Sequence, residues 1–175
     1  MKDKSIYAKL ANFGRELLDR VSTLEQGLPM IADYAKEVIT ADRCSIYIYS
    51  PKTKMLWTTL ADGIEKIMIS ADEGIAGSTL QEEKPVIVNN PYKDDRFLQK
   101  IDHQTGYITK NIASVPVFDS NRKVIGVLQL LNKDGDFTEE DTRFMVFFAH
   151  YISGYLELAT LFREDEAYLL KTDKR

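Results

Sequence analysis

The spacing of apolar residues along the chain changes period twice, from helical to strand-like and back. Ile6, Leu10, Phe13 and Leu17 recur every three or four residues and mark the apolar stripe of a first helix, interrupted around Ser22, Thr23 and Gly27. A second helix is expected from about Leu28 to Thr40, with Pro29 in its first turn. Its inward face is Ile31, Tyr34, Ala35, Val38 and Ile39, and Asp42-Arg43 ends it. Short apolar runs follow. Cys44 to Tyr49 and Met55 to Leu60 flank the turn Ser50-Pro51-Lys52-Thr53-Lys54. Lys66 to Ile69 and Pro85 to Val88 are shorter, and Ile112 to Phe118 and Val124 to Leu131 are joined by Asp119-Ser120-Asn121-Arg122. Two short helices interrupt the strands. One opens at Gly74 and the other runs from Arg96 to about Gln104, stopping at Gly106, with a polar loop from Asn89 to Asp95 before it. Strands grouped between flanking helices predict an α+β domain with a central antiparallel sheet of about six strands.

The helical period returns at the end. Phe144, Phe148, Tyr151, Tyr155, Leu158 and Phe162 form a heptad-like seam suited to a core helix or to a dimer. His150, Ser153, Glu157 and Thr160 inside that run argue against a membrane span, because a central Glu is costly in lipid. Residues 163–175 continue the helical pattern as a possible connector toward an output domain.

Composition narrows the function classes. A length of 175 residues fits one domain, and 44% hydrophobic with 29% charged residues is a globular balance. The net charge of -4 excludes a bulk phosphate-neutralising surface, so no nucleic-acid partner is expected. Cys44 is the single cysteine and lies in an apolar run, which rules out an internal disulfide and suits a cytoplasmic setting. The first residues lack the apolar core of a secretory signal.

No catalytic pattern emerges. A phosphate-cradling glycine loop, a metal-binding His pair and paired cysteines are all missing, and His103 and His150 are the only histidines. No metal or cofactor is expected. The acidic clusters Asp94-Asp95 and Glu139-Glu140-Asp141 fall where carboxylates cap helices. The stretch from Asp102 to Asp141 differs: its hydroxyls, carboxylates and following strand pair have the polar content of a small-ligand pocket without a reactive centre.

Four segments together carry a family resemblance. They are Ala41-Asp42-Arg43-Cys44-Ser45-Ile46, Gly74-Ile75-Ala76-Gly77, Asp102 with Thr105-Gly106-Tyr107 and Thr109, and Val124 through Lys133. In them, and over roughly Leu24 to Phe162, the chain resembles the GAF domains, sensory modules of phosphodiesterases, cyclases, histidine kinases and bacterial regulators. It is most similar to the subgroup of phosphodiesterases and cyanobacterial adenylyl cyclases that binds cyclic nucleotides. That subgroup carries Asn-Lys, a gap, Phe, three residues and Asp-Glu. Asn132, Lys133, Phe137 and Asp141 match it, and Thr142 replaces the final Glu.

The resemblance implies a pocket and short helices on one face of the sheet and the N- and C-terminal helices on the other. It implies that Ser45, Asp62 and the Ile75-Ala76 backbone surround a purine, with Gln129 on the sheet floor where some relatives have Glu. It further implies that Asp102, Thr105 and Thr109 close over the ligand as a lid. Tyr107 serves either pocket or core, and Phe97 offers a ring where Leu98 replaces a relative's aromatic. Asn132, Lys133, Phe137 and Asp141 would form the structural motif beneath. Helix termini and hydroxyls can donate to a phosphate, and carboxylates can accept from base NH groups. The organisation expected is an N-terminal helix over residues 1–22, a GAF domain over 23–162 and a helical extension over 163–175. Three functions follow: a cyclic AMP or cyclic GMP sensor signalling through dimeric terminal helices; a dimerising scaffold with a vestigial pocket or another small ligand; and a sulfoxide-reductase-type enzyme, which only Cys44 would have to serve.

Overall fold

A computed structural model of the chain describes residues 3–20, 24–61 and 66–161. The expected ligand contact Asp62, the Ser22-Thr23 break, the seam side chains Leu158 and Phe162, and the extension over 163–175 lie outside the described residues or side chains.

The order is α1 (Asp3–Arg20), α2 (Leu24–Ile39), β1 (Ala41–Ser50), β2 (Met55–Ala61), β3 (Met68–Ser70), α3 (Gly74–Glu82), β4 (Val86–Val88), α4 (Gln99–Thr105), β5 (Ile112–Phe118), β6 (Val124–Lys133) and α5 (Glu139–Leu161). All six strands form one sheet in the order β3-β2-β1-β6-β5-β4 with antiparallel neighbours. This is the α+β architecture expected from the pattern.

Alternation along the strands sets the two faces. Cys44 and Ile46 on β1, Ala113, Val115 and Val117 on β5, and Leu128 and Leu130 on β6 are buried on one face against α2 and α5. Phe13 fixes α1 to this layer, its ring centroid 5.0–6.4 Å from those of Tyr34, Phe147, Phe148 and Tyr151. The α5 seam is therefore largely an internal contact: Phe148 is fully buried, and Phe144, Tyr151 and Tyr155 pack against the same core. Gly27, inside α2, admits the Tyr155 ring; a Cβ there would sit 2.4 Å from it.

Several boundaries differ from the sequence reading. Helix α2 starts at Leu24, so Pro29 is inside it rather than in its first turn. It also stops at Ile39, where Thr40 turns into the left-handed region at φ 61°, and Asp42-Arg43 belong to β1. Helix α5, by contrast, begins at Glu139, in the acidic cluster expected to cap a helix, and Thr138 and Asp141 cap its start reciprocally. The Thr138 amide donates to Asp141 Oδ2 at 2.8 Å, and the Asp141 amide approaches Thr138 Oγ1 at 3.4 Å. Helix α4 begins three residues after Arg96, since the Asp94 carboxylate accepts from the Arg96 amide and guanidinium and holds that residue in a turn.

Candidate functional site

On the opposite face the odd residues of β1 point away from the helical layer. Antiparallel register lays Ala61, Ser45, Gln129, Ser114 and Val86 in one row across five strands. Arg43 lies one pleat from Ser45 on the same face and Tyr47 one pleat the other way, so the three span about 14 Å at about 3.4 Å per residue. Helix α3 roofs part of this face. Gly74 opens it at φ 73° with Leu98 close enough that a Cβ would be 2.9 Å from Leu98 Cδ1. The segment from Asn89 to Asn111, containing α4, covers the rest as a lid. The resulting cavity of about 60 Å³ is bounded by apolar side chains from β3, α3 and the lid, with Arg43, Ser45, Tyr47, Asp102, Thr105, Tyr107, Thr109 and Gln129 as its polar members.

The sheet row separates satisfied groups from open ones. Ser114 is fully buried and hydrogen-bonded to Thr79 at 2.8 Å. Ser45, Tyr47 and Gln129 are 3%, 4% and 6% exposed, yet their side-chain polar groups have no hydrogen-bond partner among the described residues. Fully enclosed polar side-chain atoms all have partners, so these three reach the cavity itself. Burial pushes the Tyr47 phenol up to about 12, which keeps it protonated and able both to donate and to accept.

The lid is held at four levels. Asparagines pin its ends: Asn89 exchanges two bonds with the backbone of Phe137, Asn132 bridges the Lys110 amide and the Ile108 carbonyl, and Asn111 bridges the Lys133 and Gly135 backbone. Inside the lid, the buried Asp102 carboxylate accepts from Tyr92 Oη, the Thr109 amide and Thr109 Oγ1, each at 2.7 Å. The bond to Asp102 holds the Tyr92 phenol above its ordinary value. A latch then joins lid to sheet. Tyr107 Oη donates to Asp42 Oδ2 at 2.7 Å while the Arg43 guanidinium stacks 3.8 Å from the ring centroid. Burial first, and the Asp42 bond second, raise the Tyr107 phenol strongly. At the lid's outer edge Arg96 grips the Asp94 carboxylate and Ser78 on α3, which holds Asp94 below the usual carboxylate range.

The positions expected from sequence thus fall into groups. Ser45, Gln129, Ile75 and Ala76 line the cavity, and Phe97 and Tyr107 stand at its lid side. Asp102 and Thr109 also border it, but the Asp102 carboxylate is engaged inside the lid, and Thr105 Oγ1 donates to the Ile101 carbonyl one turn back. Lys133 Nζ lies 2.6 Å from Asp141 Oδ2, the oxygen that caps α5, and Phe137 is buried beside them. Sequence reasoning missed Arg43, Tyr47, Asn89 and Asn111. A second hollow of about 640 Å³ lies behind the lid's asparagine pins, between Thr40 and Asp136. No helix among the described residues is long and apolar enough to cross a membrane.

An open antiparallel sheet with helices on one face and a lidded pocket on the other defines a ligand-pocket α+β domain. The chain belongs to the GAF domain family, whose model matches residues 23–156. Among curated proteins it is 28% identical over 173 residues to the probable 3',5'-cyclic phosphodiesterase pde-5 of Caenorhabditis elegans, covering 88% of this chain and 24% of that protein. It is 28% identical over 141 residues to the dual 3',5'-cyclic-AMP and -GMP phosphodiesterase 11A of Takifugu rubripes, covering 71% and 16%. The chain therefore spans a quarter or less of these relatives. In fold it is similar to the GAF domain of the Acinetobacter phosphoenolpyruvate-protein phosphotransferase, with a TM-score of 0.76, 24% identity, and 90% and 96% of the two chains covered.

Proposed function

We propose that this domain is a regulatory sensor that binds cyclic AMP or cyclic GMP between the β1–β6 floor and the lid, and signals through its terminal helices as a dimer in the cytoplasm. The observation that carries this reading is the pair Ser45 and Gln129, buried on the floor with no hydrogen-bond partner for their side chains among the described residues. Their polar atoms open onto the cavity, where a ligand that pairs them replaces water. Similarity to two cyclic-nucleotide phosphodiesterases supports the choice of ligand class. The first amides of α3 near Ile75 and Ala76 supply donors for a phosphate, since Glu73 gives that helix no side-chain cap.

A cavity of 60 Å³ holds waters rather than a nucleotide, for which pockets of about 300–1,000 Å³ are usual. Binding must therefore move the lid. Its ends are pinned by asparagines, so the movable part is the middle, released when the Tyr107–Asp42 latch and the Arg96 grip on Ser78 and Glu82 of α3 part. Asp102 then acts by keeping the lid folded, and Lys133 with Asp141 by tying β6 to the start of α5, the helix that would carry the change outward. An output domain of phosphodiesterase, cyclase or kinase type would receive it. The scaffold reading, with a vestigial pocket or another ligand, is weaker because it gives no role to the open Ser45 and Gln129 side chains on the pocket floor.

Calorimetric titration of the protein with cyclic AMP and cyclic GMP, after native mass spectrometry shows it free of nucleotide, tests the proposal. Saturable binding of either supports it; no heat with both refutes it.

A further inference from the structure

We infer that the Tyr47 hydroxyl is a direct ligand contact, the third polar point of the pocket floor beside Ser45 and Gln129, and that it decides which ligands the inner end of the pocket accepts. The inference rests on the cyclic-nucleotide reading and adds a residue to it.

Tyr47 shares the pocket face with Ser45 and lies one step further along β1, away from the Arg43 end. Its ring belongs to an apolar cluster with Leu56, Ile69, Ala76, Leu80 and Val127, which a phenylalanine would complete equally well. The hydroxyl therefore does nothing for packing. It finds no hydrogen-bond partner among the described residues while the side chain is 4% exposed. Its oxygen is not fully enclosed, since every enclosed side-chain polar atom among the described residues has a partner; it opens onto the cavity, where water or a ligand pairs it. Ser114, on the same sheet face, is satisfied by Thr79, so the open state of Tyr47 is not a general property of hydroxyls on this face.

The surroundings indicate what it meets. Ile67, Ile69 and Ala76 offer no side-chain hydrogen bond at this end, while the first amides of α3 present donors only. A ligand group placed here is an acceptor, and the protonated phenol adds one more donor to it. A site that hydrogen-bonds a ligand discriminates strongly against analogues lacking the matching atom, because its own buried group is then left unpaired.

Tyr47→Phe in the full chain tests this, because it removes one oxygen and keeps the ring. The expected result is cyclic-nucleotide binding at least about tenfold weaker by calorimetry, with an unchanged or raised melting temperature for the ligand-free protein. Affinity within twofold of the wild type would overturn the inference and leave the sensor reading intact. A melting temperature lowered by several degrees would show a structural hydroxyl and overturn it as well. Failure of the wild type to bind either nucleotide would remove the sensor reading, and this contact with it.

Discussion

The two faces of the sheet are built from the same six strands and solve opposite problems. Toward α2 and α5, Ala113, Val115 and Val117 of β5 and Leu128 and Leu130 of β6 are fully buried in one continuous apolar cluster, and even the α5 seam helps to close it. Toward α3 and the lid, the apolar residues divide into two smaller clusters, with Ser45, Tyr47 and Gln129 left open between them. The first face is closed by the chain itself, and the second leaves polar groups open to a cavity. A protein retains unpaired buried groups chiefly where something outside the chain pairs them.

The contrast breaks most visibly at Phe148. Phe148→Ala removes a fully buried ring packed on Phe13 and Phe147 and is expected to cost about 3–5 kcal/mol in urea denaturation. Leu98→Ala, at the half-buried lid contact with Gly74, should cost well under half of that. Equal losses would mean that the pocket face is as tightly built as the other.

Asp102→Ala is the next largest effect. It strands Tyr92 Oη and both donors of Thr109, which predicts a loss of about 1–3 kcal/mol with the fold retained. Faster proteolytic cleavage confined to residues 92–110 would be its signature. A lid as resistant as in the wild type would show that Asp102 is not what keeps it folded.

Much of this is legible in the amino-acid sequence. The strand pairs, the turn around Pro51, the glycine that ends α4 and the α+β class follow from period and punctuation, and the residues resembling a GAF domain gave Ser45, Gln129 and the Lys133–Asp141 pair as candidates. Tyr47 was missed although its signal was present: within Cys44 to Tyr49, Cys44, Ile46 and Ile48 alternate with Ser45, Tyr47 and Tyr49, and the second set is the polar-capable face. Treating the run as uniformly apolar hid it. Arg43 was hidden because Asp42-Arg43 reads as the end of a helix, whereas Thr40 turns the chain one residue after Ile39 and puts both into β1. Asp102 looked free to meet a ligand because its partners Tyr92 and Thr109 are ten and seven residues away, and only the path of the lid brings them to one carboxylate.

The division of labour between the faces is tested most directly by amide hydrogen exchange on the intact chain, with and without saturating cyclic nucleotide. The account predicts added protection over residues 92–110 and over β1 around Ser45 and Tyr47, with the amides of the α2 face already protected and unchanged. Unchanged exchange throughout the lid, or protection appearing on α2 and not on β1, would contradict it.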